Sequence, residues 1–417
     1  MSLLLLILTL GSVAPCALAQ QPHPSPDEVT EMIKQLRKQV AELEARTKEL
    51  EAQISKRPAA TEPAQTEGEA AKAEREVSPA ADHTGHGGGV LGSPLMQIRG
   101  YSDVNFRATN VKGQTNSFAL GQLDLFVTSR LSDKMNVLAE MALKSNDKNA
   151  LSFVPERILF QYAVNDYLTL NIGRYHTAIG YYNAAFHHGT LFQTTVGRPF
   201  LFAFEGDGGI LPIHNVGLSA SGRIPSGSLG LSYVAELGNG RTSRSKTIET
   251  VQNKVDENNG KAVNLGLQMR PRWIPGLQVG FNMYRDRLQP DELPKVGQMI
   301  WAAHVIYQTP SFELLNEGIL IRHTLSDTQQ TINTPGFYTQ ISQRFFNRVR
   351  PYFRYEYMNV PERDPINHDV GRRNGPALGV RYDLGEFAAL KMQYDRTAYR
   401  TKSKSSNAFQ MQFAFTF

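Results

Sequence analysis

From residue 97 onward the chain alternates apolar and polar residues with a period of two, in sixteen successive segments of roughly ten residues. Leu123, Leu125, Val127, Ser129 and Leu131 share one face, while Gln122, Asp124, Thr128 and Arg130 share the other. Val263, Leu265, Leu267 and Met269 stand opposite Asn264, Gln268 and Arg270 in the same way, and Leu378, Val380, Tyr382 and Leu384 opposite Arg381 and Asp383. The segments fall near 97–107, 118–131, 136–145, 156–164, 168–177, 214–224, 229–237, 262–270, 277–287, 299–308, 313–324, 337–347, 351–359, 376–384, 388–399 and 408–417. Tight connectors such as Ser132-Asp133-Lys134, Asn165-Asp166, Thr309-Pro310 and Gly385-Glu386 alternate with longer polar ones.

An even strand number with short turns at one end and long loops at the other is the pattern of a membrane-spanning β-barrel. A soluble barrel of this size would enclose more space than side chains can fill. The apolar face therefore looks outward to lipid, and closure leaves no unpaired backbone edge. Membrane helices are excluded, because the longest uninterrupted apolar run is Leu3 to Leu8 and a spanning helix needs about 20 residues. The expected fold is all-β: a 16-stranded antiparallel transmembrane β-barrel over 95–417, preceded by an α-helical coiled coil.

The first 94 residues are a different object, since all 39 aromatic residues lie beyond them. They hold nine basic against thirteen acidic residues, which leaves about +9 of the formal charge on the remainder. Residues 1–19 read as a secretory signal peptide: a leucine-rich core, then Ala17 and Ala19 as the small residues before a cleavage site. Cys16 follows Pro15, which fits lipidation badly, and cleavage after Ala19 would leave no cysteine for an oxidising compartment. Residues 20–57 carry a heptad seam, with Ile33, Val40, Thr47 and Ile54 at one position and Val29, Leu36, Leu43 and Leu50 at the other. This predicts a self-associating periplasmic coiled coil that Pro58 stops. Residues 58–94, rich in Ala, Pro, Glu and Gly, read as a flexible linker, with His83 and His86 too few to hold a metal. Through this arm the chain could reach the cell wall or a periplasmic protein.

Sixteen strands leave a water-filled channel, so function should lie in whatever narrows it. The connector 178–212 is too apolar for a free surface loop, with Tyr181, Tyr182, Phe186, Leu191, Phe192, Phe200, Leu201, Phe202 and Phe204, and is expected to fold into the lumen. Its polar members His187, His188, Arg198, Glu205 and Asp207 become the expected constriction, together with the wall residues Arg130, Arg344, Arg354, Arg381 and Lys391. Basic residues slightly outnumber acidic ones on the polar face of the strands, which predicts a mild preference for anions. Arg354 with Glu356 and Arg381 with Asp383 are expected to pair on that face. The barrel's seven histidines, His176, His187, His188, His214, His304, His323 and His368, accompany no recognisable nucleophile motif. No catalytic residue, metal, cofactor or nucleic-acid partner is expected.

The chain ends in alternating aromatics, Phe409, Phe413, Phe415 and Phe417. This resembles the closing strand of bacterial outer-membrane proteins, whose terminal aromatic is read by the barrel-assembly machinery. The stretch Asn171-Ile172-Gly173-Arg174-Tyr175-His176-Thr177-Ala178-Ile179-Gly180, followed by a long loop, resembles the phosphate-selective porin O and P family. The resemblance implies a sixteen-stranded trimeric channel in the bacterial outer membrane, with an N-terminal periplasmic coiled coil in some relatives. The expected function is passive diffusion of small polar solutes. A phosphate-type anion channel, or an envelope tether anchored by the barrel, stand as alternatives.

Overall fold

The computed structural model describes residues 95–145, 150–186, 189–204, 208–243, 256–290, 293–400 and 405–417, together with Lys34, Lys38 and Ala45. Two compact units divide the chain at residue 68. Of the first, Lys34, Lys38 and Ala45 are helical. The signal peptide, the linker and the seam residues Ile33, Leu36, Val40, Leu43, Leu50 and Ile54 lie outside the described residues.

The second unit is a closed antiparallel meander of sixteen strands in which β1 pairs with β16. In chain order these are β1 (Leu95–Thr109), β2 (Ser117–Arg130), β3 (Met135–Ser145), β4 (Leu151–Asn165), β5 (Leu168–His176), β6 (His214–Arg223), β7 (Leu231–Gly238) and β8 (Ala262–Met269). They continue with β9 (Leu277–Leu288), β10 (Val296–Gln308), β11 (Phe312–Leu325), β12 (Thr331–Gln343), β13 (Val349–Asn359), β14 (Arg372–Asp383), β15 (Ala388–Tyr399) and β16 (Ser406–Thr416). Ile98, Leu120, Ile172, Leu218, Leu265, Leu378 and Phe413 project from the outer surface and are exposed, as an apolar lipid-facing belt requires. Tyr167, Trp273, Phe346 and Phe387 stand exposed at the short turns, where amphipathic rings suit a membrane interface.

Both ends of β12 differ from the alternation pattern for local reasons. β12 ends at Gln343 because Phe346 and Asn347 adopt φ of 50° and 58°, a turn conformation no strand can continue through. It begins at Thr331, running across Pro335, which faces outward beside Leu320 of β11. The seam between β1 and β16 closes through the chain terminus. The Phe417 N–H donates to the Gly100 carbonyl at 3.0 Å, and the Gly100 N–H to the Phe417 carbonyl at 2.9 Å. The Phe417 ring lies over Gly100, in the space a side chain there would take, so any larger residue would have to move the ring.

One arc of the wall departs from a polar lumen. Tyr284, Ile300, Ala302, Ile306, Leu315, Ile319, Ile321, Tyr338 and Met358 on β9 to β13 turn inward, and all are buried. Burial of each large apolar side chain contributes about 1.5–3 kcal/mol, and what covers these is the connector between β5 and β6.

Candidate pore constriction

The connector 177–213 leaves β5 and returns to β6, and between these points it crosses the barrel to β11–β15 on the far side. Its neck is closed by Thr177 N–H donating to the Ile213 carbonyl at 2.9 Å, while the Asn183 amide donates to the Thr177 carbonyl at 2.8 Å. Ile179, Tyr182, Leu201, Phe202, Ile210, Leu211 and Ile213 pack against the inward apolar arc as one core. The Tyr182 ring stacks on Phe202 with centroids 5.8 Å apart and meets Tyr338 of β12 edge-on at 6.0 Å.

Buried wall acids hold the first limb by its N–H groups. Glu236 of β7 accepts from Ala178 at 3.0 Å, and Glu317 of β11 from Tyr181 at 2.5 Å and Tyr182 at 2.8 Å. Glu356 of β13 accepts from Phe200. Gly180 makes the bend into this limb at φ +74°, with the Glu317 carboxylate and the Phe202 ring in the space a side chain would need. A single helical turn, α1 (Tyr182–Ala185), follows.

Wall cations hold the tip by its carbonyls. Lys391 of β15 donates to Thr190 at 2.5 Å and Thr195 at 3.3 Å. Arg381 of β14 donates to Leu191 at 2.5 Å and Gln193 at 3.1 Å, and Arg354 of β13 to Gly197 at 3.0 Å. Arg354 also pairs with Glu356 at 2.7 Å, and Arg381 with Asp383 at 2.6 Å. Three of the residues expected to line the pore thus fasten its loop.

The remaining expected site residues are spread out. Arg198 ties the loop to itself, donating to the carbonyls of Phe202 at 2.5 Å and Phe186 at 2.9 Å, with its guanidinium 4.5 Å from the centre of the Phe204 ring. Arg130 ends β2 and pairs with Asp133 at 2.9 Å beside a short turn. Arg344 follows β12 and lies 3.9 Å from Asp383. His187, His188, Glu205 and Asp207 fall outside the described residues.

Across the lumen from β9–β13 stands the wall β1–β4, which the loop also touches: the Lys144 ammonium of β3 lies 4.5 Å from the centre of the Phe204 ring. There Lys144 pairs with Glu156 at 2.6 Å, and Arg157 pairs with Glu140. The cations keep 25% and 20% of their side-chain surface exposed, while both carboxylates have none. Beside them stand Tyr101 of β1 and Phe126 of β2, in edge-on contact at 5.2 Å, and Phe192 of the loop tip meets Tyr101 at the same distance. Tyr101 and Phe126 occupy polar-face positions, between Arg99 and Asp103 and between Asp124 and Thr128. An aromatic ring on the polar face was the signal that charge-based reading of the wall passed over.

A second connector, 360–371, also folds inward at the long-loop end. Its Asp364 accepts from the backbone N–H groups of Ile366 at 2.9 Å and Asn367 at 2.8 Å, and lies 2.9 Å from Nδ1 of His323 on β11. Burial would push the Asp364 carboxyl up, but the hydrogen bond and charge of His323 and the two N–H donors hold it below the usual carboxylate range. The other ring nitrogen of His323 faces the Gln298 amide at 2.8 Å, where a catalytic dyad would need a hydroxyl or thiol. Among the described residues no group of His, Cys, Asp and Glu is placed to hold a metal ion.

No protein-family model matches the chain, and no curated protein matches its sequence. Solved structures do match its fold. An anion-selective porin from Comamonas acidovorans superposes with a TM-score of 0.56 at 12% identity, covering 78% of this chain and 100% of that one. The outer-membrane channel DcaP of Acinetobacter baumannii gives 0.53 at 9%, covering 78% and 97%. A loop-deletion mutant of OmpT, an outer-membrane protein of Vibrio cholerae, gives 0.53 at 10%, covering 78% and 99%. The chain therefore has the closed transmembrane β-barrel fold found in outer-membrane porins.

Proposed function

We propose that this protein is an outer-membrane porin through which small polar solutes diffuse passively, with a mild preference for anions. The observation that carries this reading is the loop 177–213, fastened across the lumen from β5 and β6 to β11–β15 so that it narrows the barrel. A barrel with no such loop would be an open hole or a mere anchor, and one filled on every side would conduct nothing. The anion preference rests on the orientation of the ion pairs. Lys144 and Arg157 keep part of their side chains exposed while Glu156 and Glu140 are fully buried, which favours a positive potential on this stretch of wall.

A phosphate-specific channel is the weaker version of this reading. It needs basic groups to hold the ligand, and Arg354, Arg381 and Lys391 are engaged with loop carbonyls. We assign the membrane to the bacterial outer membrane, the assembly to a homotrimer, and residues 20–57 to a periplasmic coiled-coil arm. Planar-bilayer recording of the purified protein tests the proposal: discrete conductance steps with a reversal potential favouring chloride over potassium are expected. A silent bilayer, or strong cation selectivity, would overturn it.

A further inference from the structure

Phe192 is out of place by the physics of its surroundings. Its neighbours Leu191 and Gln193 are buried, yet its own ring is 39% exposed, facing a lumen that should be wet. The clamp described above explains how it is held there: Arg381 grips the carbonyls on either side of it, at Leu191 and Gln193, and Lys391 grips Thr190 and Thr195. A flexible loop would turn such a ring inward to save about 25 cal/mol per Å² of apolar surface. Here the main chain is fixed and the ring stays out.

The exposed ring is continued on the wall. Tyr101 stands edge-on to Phe192 and to Phe126, so the three rings make a strip from loop to wall. Arg157 closes one end, its guanidinium 5.6 Å from the centre of the Phe126 ring, with part of its surface exposed and its partner Glu140 fully buried. A solute that covered the strip would find an apolar platform under its body and a partly hydrated cation at its edge. Edge-to-face and stacked aromatic contacts add attraction beyond area burial, and a charge-assisted hydrogen bond to arginine adds direction.

Resting on the channel reading above, we infer that Phe192, Tyr101, Phe126 and Arg157 form a binding site in the lumen for carboxylates that carry a flat aromatic face. The ring of the solute lies on the Phe192–Tyr101 edge and its carboxylate meets Arg157. Acetate has the charge without the face, and cyclohexanecarboxylate has the charge and bulk without flatness, so neither satisfies both halves of the site.

Benzoate, cyclohexanecarboxylate and acetate are the probes for the full-length protein. In bilayers, benzoate should interrupt the chloride current at about a tenfold lower concentration than cyclohexanecarboxylate, and acetate should not interrupt it, tenfold being about 1.4 kcal/mol. Calorimetric titration in detergent should give the same order without depending on conductance. Phe192→Leu, which keeps bulk and loses the face, should cost about tenfold for benzoate, while Phe192→Tyr restores it and Arg157→Gln weakens benzoate and cyclohexanecarboxylate alike. Equal potency of benzoate and cyclohexanecarboxylate, or indifference to Phe192→Leu, would overturn the site. Phe192-dependent benzoate binding in a protein that conducts no current would leave the site standing and remove the diffusion channel.

Discussion

Glu317, on β11, accepts the main-chain N–H of Tyr182 at 2.8 Å from a loop that left the wall at β5. The same carboxylate accepts from Tyr181 and from the Tyr338 hydroxyl, so one side chain fixes the loop's first limb to the far wall. Hydrogen bonds to charged groups contribute about 1.5–3 kcal/mol each. Glu317→Ala should therefore free the limb and give a larger, noisier single-channel conductance. Glu317→Gln, which keeps an acceptor oxygen, should fall between, and traces unchanged in both variants would contradict the anchoring role.

Arg354 and Arg130 are both wall arginines, yet their removal should differ greatly. Arg354→Ala leaves Glu356 buried without its partner and Gly197 without its donor, a loss of about 3–5 kcal/mol. Arg130 and Asp133 are both exposed, and Arg130→Ala should cost about 1 kcal/mol or less. Urea unfolding of the refolded barrel, followed by the gel-mobility shift of folded protein, measures both on one scale.

The connector 360–371 should loosen on acidification. The native state holds the Asp364 carboxyl below the usual carboxylate range, so the ionised form is favoured by folding. Its stabilising contribution is complete above the unfolded value and disappears as pH falls through the lower native one. Amide exchange at Ile366 and Asn367 should be slow at neutral pH and accelerate below about pH 4. Asp364→Asn should show fast exchange throughout.

Gly100 and Phe417 predict an assembly defect. Gly100→Val places methyl groups where the Phe417 ring lies and should turn that ring off the β1–β16 seam. If the terminal aromatic is the assembly signal, Phe417→Ala should lower the yield of folded barrel in cells while detergent refolding in vitro proceeds. Equal cellular yields would separate seam packing from recognition.

The arm can be tested by deleting residues 20–94 behind an intact signal. Conductance of the barrel should persist, since every clamp contact named above lies beyond residue 94. Cross-linking of the full chain should weaken in a Leu36→Pro, Leu43→Pro double variant if the seam self-associates.

Strand number and the inward course of the long apolar loop could be read from the chain because each rests on local pattern: period-two alternation in one case, too many Phe and Tyr in a connector in the other. The apolar inner arc could not be read in the same way. Around Ile300, Trp301, Ala302 and Ala303 both faces of β10 are apolar, and alternation carries no information about which face meets lipid. That double-sided hydrophobicity was itself a signal, since a strand apolar on both faces is buried on both. The roles of Arg354, Arg381 and Lys391 were beyond reach for another reason. Alternation gives the face a side chain points to, and the loop carbonyls it meets lie 157, 190 and 201 residues away in sequence.

The clamp on the loop tip grips carbonyl oxygens, and every amino acid supplies one. Arg381 and Lys391 therefore hold residues 190–195 through the main chain alone, on both sides of position 192, while Arg354 takes the Thr195 hydroxyl as well as the Gly197 carbonyl. Position 192 behaves as a socket: its contents can be exchanged while the frame stays in place. A set of channels differing at that one residue would share a pore outline and differ in what lingers inside it, so permeant preference can be retuned without rebuilding the barrel.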